Sequence, residues 1–181
     1  MTRQKSTLLL LCFLITLTVP SVFAQQKPQY TQYMFNGLII NPAVAGSDNA
    51  PSLTFLNRNQ WTSIEGAPIT QTLSGHTLFG ASRMGAGLSI INDKIGVHRN
   101  QNIQGSFSYR LKISQQTFLS MGLQGGISIR KSTYSSLNGP TPDPRAHNLS
   151  HTSPTLGMGL FLRTPRLDPG ISAPEVLPEE F

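Results

Sequence analysis

The chain has 181 residues, a formal charge of +6, a mean hydropathy of −0.12 and one cysteine, Cys12. Beyond its N-terminus it has no apolar run near the ~20 residues that a membrane-spanning helix needs, which excludes a helical membrane protein. Its basic residues form no stripe with interleaved aromatics, so composition also gives no support to a nucleic-acid partner.

Residues 1–24 have the organisation of a secretory signal peptide. Arg3 and Lys5 form a basic start, an apolar core follows over residues 8–17, and a cleavage motif ends at Ala24. We expect the mature chain to begin at Gln25 with a formal charge of +4 (12 basic minus 8 acidic residues). Cleavage also removes Cys12, so neither a disulfide nor thiol chemistry is expected in the exported chain.

The second segment, residues 25–51, contains an uncharged aromatic and amide-rich stretch over 29–47. Tyr30, Tyr33, Met34 and Leu38 recur at helical spacing, which predicts a helix. Pro42 should end it, because proline disfavours the α conformation in the residue before it. From periodicity alone this stretch is a short connector that packs on the chain that follows.

A period of two dominates residues 52–163. The six predicted strands are 52–61, 68–79, 84–91, 102–113, 118–130 and 155–162. On each strand one face is apolar, while the other carries mostly Gly, Ser, Gln and Asn rather than Lys and Glu. Small neutral polar residues suit the inside of a barrel, and a continuous apolar face suits lipid.

These strands favour an all-β fold, an antiparallel transmembrane β-barrel of the outer-membrane type. Several reach the ~9–11 residues that a tilted strand needs to cross a bilayer. A soluble, secreted all-β binding module with its apolar faces in a core fits the alternation about as well, so periodicity alone leaves both open. Porin-like diffusion of solutes is a weaker third reading for so few strands.

No motif indicates catalysis, so we predict a non-enzyme without cofactor, metal or small-molecule substrate. The eight acids are scattered or crowded into the tail, with no close carboxylate pair and no Ser/His/Asp neighbourhood. Residues 92–96 are predicted to be a turn rather than a cation loop, because one carboxylate is too few for Ca²⁺. His147 and His151 fall in a Pro-, Ser- and Thr-rich stretch and are expected to be solvated loop residues.

Several strings in this chain resemble, in the same order, the PorP/SprF family of outer-membrane proteins attached to the type IX secretion and gliding machinery of Bacteroidetes. They are the stretch 29–47, the strand 55–61 ending in Gln60-Trp61, the segment 67–71, the strand and turn 87–96, and the strand 119–126. The resemblance favours the barrel over the soluble alternative.

The resemblance implies a role in export or surface anchoring of adhesin-like substrates and in gliding, at the outer membrane. Expected partners are outer-membrane lipid, secreted substrate domains and periplasmic proteins of the machinery. The stretch 30–47 is predicted to lie at the periplasmic mouth or to plug the lumen, and Trp61 to be a girdle residue with Arg58 paired nearby. The candidate motif and partner-binding residues are Gln32, Tyr33, Asn36, Asn41, Pro42, Ala43, Gly46, Arg58, Gln60 and Trp61.

The chain departs from the family in length, since members are about twice as long by resemblance. Six strands are fewer than the ~8 of the smallest closed barrels, so we expect the N-terminal half of a barrel. The tail, residues 164–181, is acidic and Pro-rich, and residues 170–174 resemble the end of a next strand. A truncated family member without function therefore remains an alternative.

Overall fold

The computed structural model describes residues 35–48, 50–79, 83–134 and 148–177. They form one antiparallel sheet preceded by a short helical segment. A helix, α1, covers Gly37–Ile40, and a 3-10 helix covers Pro42–Val44. The strands are β1 (Ser52–Asn59), β2 (Ile69–Leu78), β3 (Met84–Ile95), β4 (His98–Lys112), β5 (Phe118–Ser132), β6 (Leu149–Arg163) and β7 (Gly170–Ala173).

Each strand pairs with the next along the chain, and β1 and β7 do not pair among the described residues, so the sheet is not closed. We call the end with the connections 79–83, 113–117 and 164–169 the short-turn end. The opposite end carries the connections 60–68, 96–97 and 133–148, and we call it the long-loop end. The all-β fold of a partial barrel is therefore confirmed.

The polarity of the sheet is inverted relative to a water-soluble protein. One face, which we call the inner face, is polar and buried, with Ser74, Ser108 and Gln124 as examples. The other, the outer face, exposes large apolar side chains such as Phe55 and Leu123. Among the described residues only Leu38, Ala43, Ala45 and Ile91 form a buried hydrophobic core. The soluble alternative, in which the apolar faces meet in a core, does not describe this arrangement.

At the long-loop end the predicted boundaries of β3 to β6 were too short, whereas those of β1 and β2 extended one or two residues too far. Strand β3 continues to Ile95, so the turn predicted over 92–96 is wrong except for Gly96, whose φ of 58° begins a tight turn. Strand β6 begins at Leu149 rather than 155, which places His151 in a strand. Alternation of apolar residues marks only the middle of each strand, whereas the hydrogen-bonded pairing continues into polar residues.

The remaining predictions concern the two ends of the chain. A seventh strand, β7, lies within the predicted tail and pairs with β6. The helix does end before Pro42, as predicted, with Asn41 extended at φ −139° and ψ 112°. Leu38 lies in α1, whereas Tyr30, Tyr33 and Met34 lie outside the described residues, as do the predicted signal peptide and His147.

Candidate functional site

The candidate site is the contact between the inner face and residues 36–48, which we call the inner segment. Asn41 organises this segment. Its Oδ1 accepts a hydrogen bond from the Ala43 backbone N–H at 2.9 Å, which caps the 3-10 helix that Pro42 begins. Its Nδ2 donates to the carbonyl of Leu160 in β6 at 2.9 Å. One amide side chain thus shapes the segment and fixes it to the sheet.

The inner segment is buried against the sheet by close backbone contact. Ala43 has no exposed surface, and Asn41 is 6% exposed. A Cβ at Gly122 of β5 would overlap the backbone of Pro42 and Ala43, and a Cβ at Gly159 of β6 would overlap the Asn41 side chain. These two glycines therefore leave the room that the segment occupies.

Polar side chains of several strands hydrogen-bond the inner segment. Ser74 of β2 donates to Asn36 Oδ1 at 2.8 Å, and Ser108 of β4 donates to the Ala45 carbonyl at 2.5 Å. Ser172 of β7 donates to the carbonyl of Ile40 at 2.7 Å. Polar groups in such a contact need partners, and these three hydroxyls each meet an acceptor of the inner segment.

Two arginines bind carbonyls at the end of the inner segment. Arg110 of β4, 9% exposed, donates to the Gly46 carbonyl, and its guanidinium lies 5.4 Å from the centre of the Phe118 ring. Arg163 of β6 donates to the Ser47 carbonyl at 2.5 Å. Burial of a guanidinium is costly without partners, and the carbonyl and the ring face offset that cost at Arg110.

Asp48 joins strands that are not neighbours. Its carboxylate lies 3.2 Å from Arg163 Nη1 in β6 and 3.8 Å from His76 Nε2 in β2, and Arg163 also lies 3.7 Å from Asp168. Four strand spacings separate β2 and β6, about 19 Å on a flat sheet, and side chains stand roughly perpendicular to a sheet. The sheet must therefore curl, with its polar face concave around the inner segment.

The structure divides the predicted motif residues into two groups. Asn36, Asn41, Pro42, Ala43 and Gly46 lie together in the inner segment and face the sheet. Gln32 and Tyr33 lie outside the described residues.

The second predicted group lies at the long-loop end. Arg58 is near the end of β1 and pairs in register with Thr70, and the Gln60 backbone N–H donates to the Pro68 carbonyl at 3.0 Å. Trp61 is 68% exposed with a φ of 52°. The structure therefore does not bring the Gln60-Trp61 string together with the Asn41-Pro42 string.

The side chains that hold the inner segment were not predicted from the sequence; they are Ser74, His76, Asp48, Ser108, Arg110, Arg163 and Ser172. Strand parity was the available signal, because His76 and Arg110 fall on the polar face of their predicted strands. Whether a position is odd or even in a strand gives the face on which its side chain lies, but not the group that the side chain contacts. The contact with residues 36–48 therefore could not be inferred.

In the described part of the chain no side chains assemble a metal centre. No group of three or more His, Cys, Asp or Glu side chains lies close enough there to hold an ion. Asn92 and Asp93 project to opposite faces: Asp93 accepts from Thr70 Oγ1 at 2.6 Å, whereas Asn92 donates to Gln71 at 3.3 Å. Across the described ranges, no helix is long and apolar enough to span a membrane.

An antiparallel sheet with a buried polar face and an exposed apolar face is the arrangement found in the walls of outer-membrane β-barrels. The sequence model of the type IX secretion system membrane protein PorP/SprF family matches residues 22–181, so the chain belongs to that family. Membership implies an outer-membrane component of the type IX secretion system that interacts with other components of it. Searches of curated proteins and of solved structures gave no match.

Proposed function

We propose that the chain is exported by a signal peptide cleaved after Ala24 and forms part of the wall of an outer-membrane barrel. There it supports export or surface anchoring of secreted adhesin-like substrates, and gliding, through protein–protein contacts and without turnover. The role in type IX secretion is supported by the family, and the place in an outer-membrane barrel wall is supported by the two faces of the sheet.

The observation that carries the proposal is the height of the exposed apolar band on the outer face. Along β4 and the residue that follows it, the band runs from Ile103 to Ile113, ten residue steps of about 3.4 Å each. At a strand tilt of about 40° this gives about 26 Å, the ~25 Å expected of the apolar band of an outer-membrane barrel. Such a surface is poorly compatible with water but suits the hydrocarbon core.

The two ends of the sheet support different partners. Outer-membrane barrels have short periplasmic turns and longer extracellular loops, so the short-turn end is assigned to the periplasm. The inner segment runs from Asn36, beside Ser74 in the middle of β2, to Asp48 at the short-turn end. Gln32 and Tyr33, which precede the segment in the chain, are proposed to contact periplasmic machinery proteins. Arg58, Gln60 and Trp61 at the other end are proposed to contact secreted substrate domains, with the exposed indole as anchor.

Asn36, Asn41, Pro42, Ala43 and Gly46 are proposed to act indirectly. They are buried against the sheet and set the path of the inner segment, so they position the residues before it rather than touch a partner. The family motif would thus have two roles. The buried residues from Asn36 to Gly46 hold the chain on the sheet, and Gln32 and Tyr33 bind the partner.

Membrane location is tested by fractionating cells that express the full chain with its own signal peptide. We expect the chain in the outer-membrane fraction, resistant to an alkaline carbonate wash and released by detergent, with an N-terminus at Gln25. Recovery of a soluble monomer without detergent would show instead a secreted all-β module and would refute the proposal.

Partner binding is tested by pull-down from detergent extracts. Gln32→Ala with Tyr33→Ala should reduce recovery of periplasmic machinery proteins at least tenfold and leave secreted substrate recovery unchanged. Trp61→Ala should do the reverse, which makes each variant the control for the other. Unchanged recovery of both partner classes with both variants would refute the assigned contacts.

A further inference from the structure

Three basic side chains form a row across the outer face at the long-loop end. Lys94 of β3 pairs in register with Arg99 of β4, and Arg99 pairs with Lys131 of β5. All three are exposed and lie on the same side as the apolar residues of their strands. We call them the basic row. Like charges directly opposite each other in a sheet are unfavourable, so this arrangement is not explained by sheet stability.

The basic row lies at a defined level above the apolar band. Two residues nearer the middle of the strands, an amide row follows: Asn92 donates to Gln71 at 3.3 Å and accepts from Gln101 at 3.3 Å. The next level, Ile90 beside Ile103, is apolar. Outward from the centre of β3 and β4 the order is thus apolar, amide and cationic, the order of hydrocarbon, interface and head groups in a bilayer.

No protein group neutralises this row within the described part of the chain. Lys94, Arg99 and Lys131 make no ion pair there, including with Glu65 of the neighbouring loop. The basic residues of the short-turn end differ. Arg163 binds two carboxylates, and Arg83 and Arg166 lie in separate turns rather than side by side on paired strands.

We propose that the basic row binds a phosphorylated glycolipid of the leaflet at the long-loop end, with phosphate groups on Lys94, Arg99 and Lys131. Two strand spacings, about 10 Å, separate the outer members of the row. That span fits a head group with two separated phosphates better than a lipid with one phosphate. The row faces outward beside the apolar band, where acyl chains lie, so a lipid fits it better than a soluble polyanion. The proposal rests on the membrane location proposed above.

The test uses the full mature chain refolded in detergent micelles, titrated with diphosphoryl lipid A and followed by native mass spectrometry. Each Lys or Arg near an anionic lipid contributes about a fivefold change in affinity, so K94Q/R99Q/K131Q should lose about 100-fold. The matched control R83Q/K112Q/R166Q removes the same charge from exposed positions elsewhere and should lose less than fivefold. K94R/K131R keeps the charges and should bind like the parent chain.

Other lipids decide between the sources of phosphate. Monophosphoryl lipid A should bind about tenfold more weakly, and phosphatidylglycerol more weakly still. Equal affinity for phosphatidylglycerol, or an equal loss in the control triple variant, would overturn the proposal by showing only a non-specific attraction of charge. All variants should retain β-sheet circular dichroism and heat-modifiable mobility. Because binding is measured in micelles, its failure is distinguishable from failure of membrane location in cells.

Discussion

The two faces of the sheet are built by different rules. On the outer face, neighbouring residues such as Leu123 and Met158 are exposed and paired by register, and any apolar side chain of similar size would present the same surface. On the inner face, Gly122 and Ser108 each meet a specific atom of the inner segment. The outer face therefore needs only apolar side chains that match an apolar solvent. The inner face needs particular residues, because each contacts a particular atom of the inner segment.

The largest effect is expected from charge on the outer face at the middle of the band. Leu123→Lys should destabilise the folded protein in bilayers by about 2–4 kcal/mol, the cost of a basic residue at the midplane. Gln101→Lys, in the amide row near the interface, should cost about 0–1 kcal/mol. The measurement is denaturant unfolding in liposomes followed by tryptophan fluorescence. Equal costs for the two would mean that the outer face does not lie in lipid.

The next largest effect on stability should distinguish two glycines of β5, one on each face of the sheet. A methyl group at Gly122 overlaps the backbone of the inner segment, whereas at Gly125, on the outer face, its nearest contact is a Leu156 methyl at 3.5 Å. Gly122→Ala should therefore cost about 1–3 kcal/mol by overpacking, and Gly125→Ala should be close to neutral. The same unfolding assay measures both. If Gly122→Ala were neutral, the inner segment would not be seated on β5.

The outer face and the strand cores were predictable because lipid selects for alternation alone. The apolar positions of 102–113 and 118–130 repeat every second residue, and most of that pattern is exposed on the sheet. The strand ends were not predictable from it. Lys94 and Asn92 continue β3 without an apolar signal, and backbone pairing with β4 decides the strand length there.

The candidate site was predictable only in part. The Asn41-Pro42 string predicted the end of a helix, and the structure places it against β6. The link from Asp48 to β2 and β6 joins residues far apart in sequence, and it depends on the curl of the sheet. No local pattern encodes such a contact, because the pairing of a carboxylate depends on where the strands bring their side chains.

Substitutions of Asn41 test how much one polar side chain of the inner segment contributes to the free energy of unfolding. Asn41→Ala removes the cap on Ala43 and the bond to Leu160, and should cost about 1–2 kcal/mol. Asn41→Ser keeps an acceptor that can cap Ala43 but loses the donor to Leu160, and it introduces no buried charge, so it should retain part of that stability. Both are measured by the denaturant midpoint. If the two variants were equally destabilised, the cap would contribute nothing measurable and the bond to β6 would account for the whole effect.

Asp48 gives the smallest effect, because its contacts are nearly half exposed and water weakens them. Asp48→Asn should cost less than about 1 kcal/mol, and the cost should shrink as salt is raised. A double-mutant cycle with Arg163→Gln isolates the pair, since Arg163 also contacts the Ser47 carbonyl and Asp168. A coupling energy that falls with salt would show that the carboxylate is bound to β6 by charge. A coupling near zero at every salt concentration would mean that Asp48 adds no net attraction to β6, and that the buried contacts of Asn41 and Ala43 hold the inner segment there.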